Sequence, residues 1–224
     1  WLKNFYVGTI RWAQLYGGFL EGEYDWFDER PGYFPLFTGI FKTNPKLADV
    51  QQQIDEAGGV FFRWFMEISS TEIYSEFYYN DAKVNLRDLL LDSEHSSAVT
   101  LGFRKGFKRN KNDYIFSWEW TRMEQTGSRI LRGAGSWYYH FMINAGYTNY
   151  GEVMGSAIGP GSNSQYFEIL KQNEKYRARL SFEIVDNDND FYYYAFEDAR
   201  DFRRYWKDLN FSFGYEKKIK NFWL

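Results

Sequence analysis

The chain has 224 residues, 44% of them hydrophobic and 22% aromatic, with a formal net charge of −3 and no cysteine. That length suits one large all-β domain or two small ones. The charge gives no electrostatic case for nucleic acid or for an anionic membrane surface, and without cysteine disulfides and thiolate zinc sites are excluded.

Many large rings in a polar sequence, with mean hydropathy −0.59, fit a wall that sets rings against lipid and charges toward a wet lumen. They equally fit an aromatic-rich, sugar-binding sandwich, so the alternation along each segment has to separate the two. No apolar run approaches the roughly 20 residues of a membrane helix, whereas a barrel strand needs only about 9–11 residues, half of them apolar. The sequence opens Trp1-Leu2-Lys3, strand-like from the start and without a charged or apolar leader. It is expected to be the C-terminal portion of a longer protein, a single barrel domain over residues 1–224 that is incomplete at its N-terminus.

In chain order, Pro45–Ala57 reads as helix-like, with proline at its start and Gly58 beyond its end. Gly58–Ile68 and Thr71–Tyr79 read as strands meeting at a Ser69-Ser70 turn, with Phe62, Trp64, Met66 and Ile68 opposite Arg63 and Glu67, and Ile73 and Phe77 opposite Glu72 and Glu76. Asn85–Leu91 is a short amphipathic helix with an asparagine cap. Val99–Phe107 sets Val99, Leu101 and Phe103 against Thr100, Gly102 and Arg104. The clearest strand is Asp113–Gln125, with Tyr114, Phe116, Trp118 and Trp120 on one face and Ser117, Glu119 and Thr121 on the other. Gly159–Asn163 is a loop with no phosphate-binding ending. Lys175–Val185 alternates Tyr176, Ala178, Leu180, Phe182 and Ile184 with Arg177, Arg179, Ser181 and Glu183. Asp186–Asp190 reads as a turn. Leu209–Ile219 places Leu209, Phe211, Phe213 and Tyr215 opposite Asn210, Ser212, Gly214 and Glu216. The second face carries Glu and Arg of both signs, which suits a charge-paired lumen better than a half-wet soluble sheet. The fold class is therefore all-β, an antiparallel transmembrane β-barrel with short helical loop segments.

Three stretches, Glu72–Lys105, Trp137–Asn163 and Trp206–Tyr215, resemble the capsule assembly protein Wzi family in its Bacteroidetes-type form. Glu76, Asn80-Asp81, Asn85–Asp88 and Glu94-His95 are the most specific part. The resemblance implies an outer-membrane barrel that holds capsular or other extracellular polysaccharide at the surface of a Gram-negative cell. It also implies no catalysis, no cofactor and family members about twice this length. Partners would be the polysaccharide, outer-membrane lipid and other envelope proteins. Outer-membrane barrels usually finish on an aromatic residue, and the ending Phe222-Trp223-Leu224 departs from that.

Sugar binding needs flat rings for the sugar faces and planar polar groups for the hydroxyls. Trp137, Tyr138, His140, Tyr147 and Asn149 supply both, although Trp137 and Tyr138 also suit an interfacial aromatic girdle. Asp81, Asn85, Arg87, Asp88, Glu94 and His95 form a polar block that would read sugar hydroxyls or an anionic polysaccharide, or would brace a loop through Arg87 paired with Asp81 or Glu94. Candidate lumen-lining residues are Glu72, Glu76, Arg104, Glu119, Arg177, Arg179 and Glu183. Glu72 and Glu76 stand roughly 13 Å apart along their strand at about 3.3 Å per residue, too far for a hydrolytic dyad. The Asp186–Asp190 run has three carboxylates for calcium but lacks the loop glycine and trailing glutamate of an EF-hand. His95 and His140 alone make a weak metal site. Competing roles are a passive pore or structural barrel subunit of an envelope complex, and a soluble glycan-binding or glycan-hydrolysing sandwich.

Overall fold

The computed structural model describes residues 3–15, 54–80, 86–91, 95–125, 137–139, 146–196, 206–219 and 222–223. The strands are β1 (Phe5–Leu15), β2 (Ile54–Met66), β3 (Thr71–Asn80), β4 (Ser97–Arg109), β5 (Asn112–Arg122), β6 (Thr148–Asn149), β7 (Glu152–Val153), β8 (Asn163–Gln172), β9 (Tyr176–Asn187), β10 (Trp206–Ile219) and β11 (Phe222–Trp223). Two helices, α1 (Leu86–Leu91) and α2 (Asn189–Phe196), lie between them. Among the described residues no helix is long and apolar enough to cross a membrane, which says nothing of crossing by strands.

A nine-stranded antiparallel sheet runs in the order β1-β2-β3-β4-β5-β8-β9-β10-β11, and β6 and β7 form a separate small hairpin. Antiparallel pairing puts directly opposed residues on one face, so the register sorts every side chain. One line across eight strands reads Phe5, Trp64, Ile73, Phe103, Trp118, Phe167, Phe182 and Phe211. The parallel line beside it reads Val7, Phe62, Ser75, Leu101, Trp120, Gln165, Ile184 and Leu209. On the opposite face, Tyr6, Arg63, Tyr74, Gly102, Glu119, Tyr166, Glu183 and Asn210 form one line.

Among the described residues the apolar face is uncovered. Phe211 is 75% and Phe213 74% exposed, and Ile169, Leu180 and Leu209 each stand more than half exposed. Among the described residues no helix or second sheet packs across that face. From Trp120 to Tyr114 the apolar positions of β5 span about 20 Å at roughly 3.3 Å per residue. Arg122 borders that band at one end; at the other, Lys171 stands beside Tyr114 and Arg109 lies beyond it, while Lys105 stands opposite Phe116 within the band.

The two ends of the sheet differ. At one end, β2–β3, β4–β5 and β8–β9 are joined by Glu67–Ser70, Asn110-Lys111 and Asn173–Lys175. Ser70 and Asn110 take positive φ, 47° and 55°, the left-handed conformation that a tight hairpin demands. At the other end the connections are residues 16–53, 81–96, 123–162 and 188–205. Short turns thus lie at one end of the sheet and long connections at the other.

Three expectations are corrected. The helix-like segment Pro45–Ala57 is strand from Ile54 onward, because Ile54–Gly58 pairs with Arg11–Leu15; its earlier residues lie outside those described. Ile68 belongs to the turn, since β2 ends at Met66. Asp186–Asp190 is no simple turn: Asp186 and Asn187 finish β9, Asp188 turns the chain at φ 40°, and Asn189 and Asp190 begin α2.

Candidate functional site

The polar face is a lattice of ion pairs and hydrogen bonds between neighbouring strands. Glu72, Glu76, Arg104, Glu119, Arg177, Arg179 and Glu183 all lie on it. Glu72 is nearly buried and joins Arg63 by an ion pair, with Arg104 3.9 Å away on the next strand. The Tyr74 hydroxyl donates to Glu119 at 2.5 Å, reaching across β4. That reach is open because the residue between them is Gly102; a Cβ there would fall inside the Tyr74 ring. Phe61 lies over Gly8 and Tyr78 over Gly59 in the same way, so rings lie down on the wall where a side chain is absent. Farther along, Arg179 pairs with Glu168 at 3.2 Å, Tyr166 donates to the same carboxylate at 2.8 Å, and Arg177 pairs with Glu216 at 3.1 Å. Asn210 donates to Glu183 at 3.3 Å.

Within this lattice Phe61, Arg63, Glu72, Tyr74, Glu76 and Arg104 line an open pocket of about 280 Å³. Its two arginines and two glutamates balance, so it offers ring faces and planar polar groups with no net charge. Sequence alternation marks the charged members; Phe61 and Tyr74 escape it, because large rings on a polar face break the pattern.

The long-loop end is filled. Ala57, Ala98, Met123 and Trp137 form a buried cluster, against which Trp12, Tyr78, Tyr138, Tyr147 and Ile158 pack. Ala57, Ala98, Trp12 and Tyr78 belong to the polar face by register, so the loop segments lie on that face. Trp137, 5% exposed, is packed and not presented. The Trp12 and Tyr147 ring centroids are 3.8 Å apart. Tyr138 accepts a hydrogen bond from the Ser156 amide at 2.7 Å, and its burial pushes the phenol above its ordinary pKa. Gly146, at φ 57°, brings the chain back against the Tyr138 carbonyl, where a Cβ would collide. The β6–β7 hairpin turns at Tyr150-Gly151, both at positive φ, and leaves Tyr150 fully exposed at its tip. Tyr139 is 69% exposed.

The corner between β9 and α2 locks this end to the wall. Asp190, 1% exposed, accepts from the Gln125 amide at 2.7 Å. Asp188 caps α2 by accepting from Phe191 N at 3.0 Å, and Asn189 donates to Glu124 at 2.7 Å. Asp186 pairs with Lys207 at 2.9 Å. The carboxylates that suggested calcium in the sequence are thus directed at amides and a lysine. Among the described residues no group of three or more His, Cys, Asp or Glu is placed to hold a metal.

Of the polar block, Arg87 is exposed on α1 and His95 is half-buried just before β4. Asp81, Asn85 and Glu94 lie outside the described residues, as does His140, and the Asp88 side chain is likewise not described. Tyr147 is half-buried in the cluster, and Asn149 is exposed on β6.

No protein-family model and no curated protein matches the chain. Among solved structures it is similar to Wzi, an outer-membrane protein involved in group 1 capsule assembly in Escherichia coli, described as a carbohydrate-binding β-barrel. The identity is 14% and the TM-score 0.49, over 61% of this chain and 29% of that one. The matched part is thus less than a third of that protein's length.

Proposed function

We propose that the chain is part of the wall and mouth of an outer-membrane β-barrel that holds capsular or other surface polysaccharide at the cell exterior, without catalysis. The observation that carries this reading is the two-sided sheet. A broad face of exposed rings and aliphatic side chains is backed by a face of ion pairs, as lipid outside and water inside require. A soluble sandwich would need its ring-bearing face covered by a partner layer. The resemblance of Glu72–Lys105 and Trp137–Asn163 to the capsule-assembly family supports the ligand class.

Packing at the long-loop end favours binding over free passage. Trp12, Tyr138, Tyr147 and Trp137 pack together over the polar face at that end, whereas a passive pore keeps its lumen clear. Sugar contacts are assigned to side chains that remain accessible: Tyr139, Tyr150 and Asn149 on the loops and Arg87 on α1. In a cell carrying the full-length protein, Tyr139→Ala with Tyr150→Ala and Arg87→Ala should release surface polysaccharide into the medium. The barrel itself should still show heat-modifiable migration. Unchanged polysaccharide retention would favour a pore or a structural subunit, and recovery of the protein without detergent would overturn the barrel.

A further inference from the structure

Net charge conceals a local asymmetry on the apolar face. At the short-turn end the strand residues pointing to that face include Lys105 and Arg109 on β4, Lys171 on β8 and Lys217 on β10. Among the described strand residues at that end, none pointing to this face is Asp or Glu. At the long-loop end the corresponding line reads Arg122, Asn163, Asp186 and Lys207, mixed in sign.

The basic end is also ringed. Phe107, Tyr114, Lys171, Ala178 and Tyr215 are successive partners across five strands. Phe107 stacks on Tyr114 at 5.2 Å, and Tyr176 on Tyr215 at 6.2 Å. The Lys171 ammonium sits 5.9 Å from the Tyr114 centroid and 5.6 Å from that of Tyr176. Two aromatic faces therefore hold this cation at the level of the rings, and Ala178, its direct partner, leaves the wall low beside it. Lys217 is exposed two strands away and two residues further along, about 12 Å at roughly 4.8 Å per strand and 3.3 Å per residue. Two four-carbon stems reach a shared group across that gap.

We propose that Lys171, Lys217, Tyr114 and Tyr176 form a binding site for the phosphodiester of an anionic glycerophospholipid in the leaflet at the short-turn end. This rests on the reading of the sheet as a membrane wall. The phosphate meets the two ammoniums, the tyrosine hydroxyls lie at headgroup level, and the acyl chains run along Phe116, Ile169, Leu180 and Phe213. A zwitterionic headgroup would bring its own cation toward the lysines and bind more weakly.

The test is native mass spectrometry of the full-length protein in detergent, titrated in turn with phosphatidylglycerol, phosphatidylcholine and inorganic phosphate. Phosphatidylglycerol should give retained adducts in excess of phosphatidylcholine, and inorganic phosphate should neither bind nor displace it. Lys171→Gln should lower phosphatidylglycerol affinity about fivefold and Lys171→Gln/Lys217→Gln further, each lysine contributing on the order of one such factor. Lys171→Arg should restore it, and Lys207→Gln at the other end should leave it unchanged. Equal adducts from the two lipids, or full retention in the double variant, overturns the site. If heat-modifiable migration persists in that case, the membrane wall stands and only the lipid site falls. A protein that needs no detergent and shows no such migration removes both.

Discussion

At the residue scale, the contact between Tyr74 and Glu119 depends on an absent side chain. Gly102→Ala would push the Tyr74 ring off the wall and break a 2.5 Å hydrogen bond, at a cost of about 1–3 kcal/mol from overpacking and the lost bond. Urea unfolding of the lipid-reconstituted protein should show this loss, with Tyr74→Phe giving a smaller one. Asp190 tests the other end. Asp190→Ala leaves the Gln125 amide without its carboxylate, costing about 1–3 kcal/mol. Because that bond joins the start of α2 to the segment just after β5, hydrogen exchange should quicken around α2 and residues 123–125 while the strands keep their protection. Neither role is legible in sequence. A glycine in a strand and an aspartate in a polar run look ordinary until the register places a ring over one and an amide against the other.

At the element scale, the face of each residue follows from parity, and β9 offers a direct comparison. Leu180→Arg puts a charge into the exposed apolar band and should cost about 2–4 kcal/mol of membrane folding stability, whereas the neighbouring Ser181→Arg on the polar face should be tolerated. Folding into lipid vesicles of the two variants, followed by gel migration, separates them; equal behaviour would mean the faces are misassigned. Strands β2 to β5, β9 and β10 were readable because their rings fall on alternate positions. β8 was not, since Tyr166 and Leu170 lie on the polar face while Gln165 and Lys171 lie on the apolar one. In β1 the polar face carries Tyr6, Ile10 and Trp12 while Thr9 and Arg11 lie on the apolar one, so the period of two disappears. The β2 start reads as helix in the sequence because the pairing of Ile54–Gly58 is set by β1, far away along the chain.

The turn between β2 and β3 adds a pH-dependent tether. Hydrogen bonds from Lys3 and then Asn4 hold the Glu67 carboxyl below its ordinary range. A carboxyl with a lowered folded pKa favours the folded turn above its unfolded pKa, and that advantage fades as pH falls through the lowered value. The group is fully exposed, so the effect is local and salt-sensitive. Proteolysis near Asn4 should quicken on acidification through the carboxylate range, and Glu67→Gln should abolish that dependence.

At the scale of the whole molecule, the alternation in the sequence conveyed an antiparallel sheet with one apolar and one charged face, but not the packing at its long-loop end. Trp137 reads as a sugar platform or, more readily, as a girdle residue, and only the placement of Ala57, Ala98 and Met123 beneath it shows that it is enclosed. Heat-modifiable migration together with outer-membrane fractionation is the expected behaviour of the full-length protein.

The order of the sheet has a consequence for how such a wall is laid down. Each long strand pairs with its successor in the chain except at one join, where β5 meets β8 across residues 123–162. Most neighbouring hairpins therefore assemble through short connections, whereas that join, like β1–β2 across residues 16–53, must close a long loop and is expected to form slowly. The segment it gathers in is the one carrying Trp137, Tyr138 and Tyr147. Zipping β5 to β8 and covering the polar face at the long-loop end are then coupled, and a chain stalled before that join would leave this end of the face without its ring cluster.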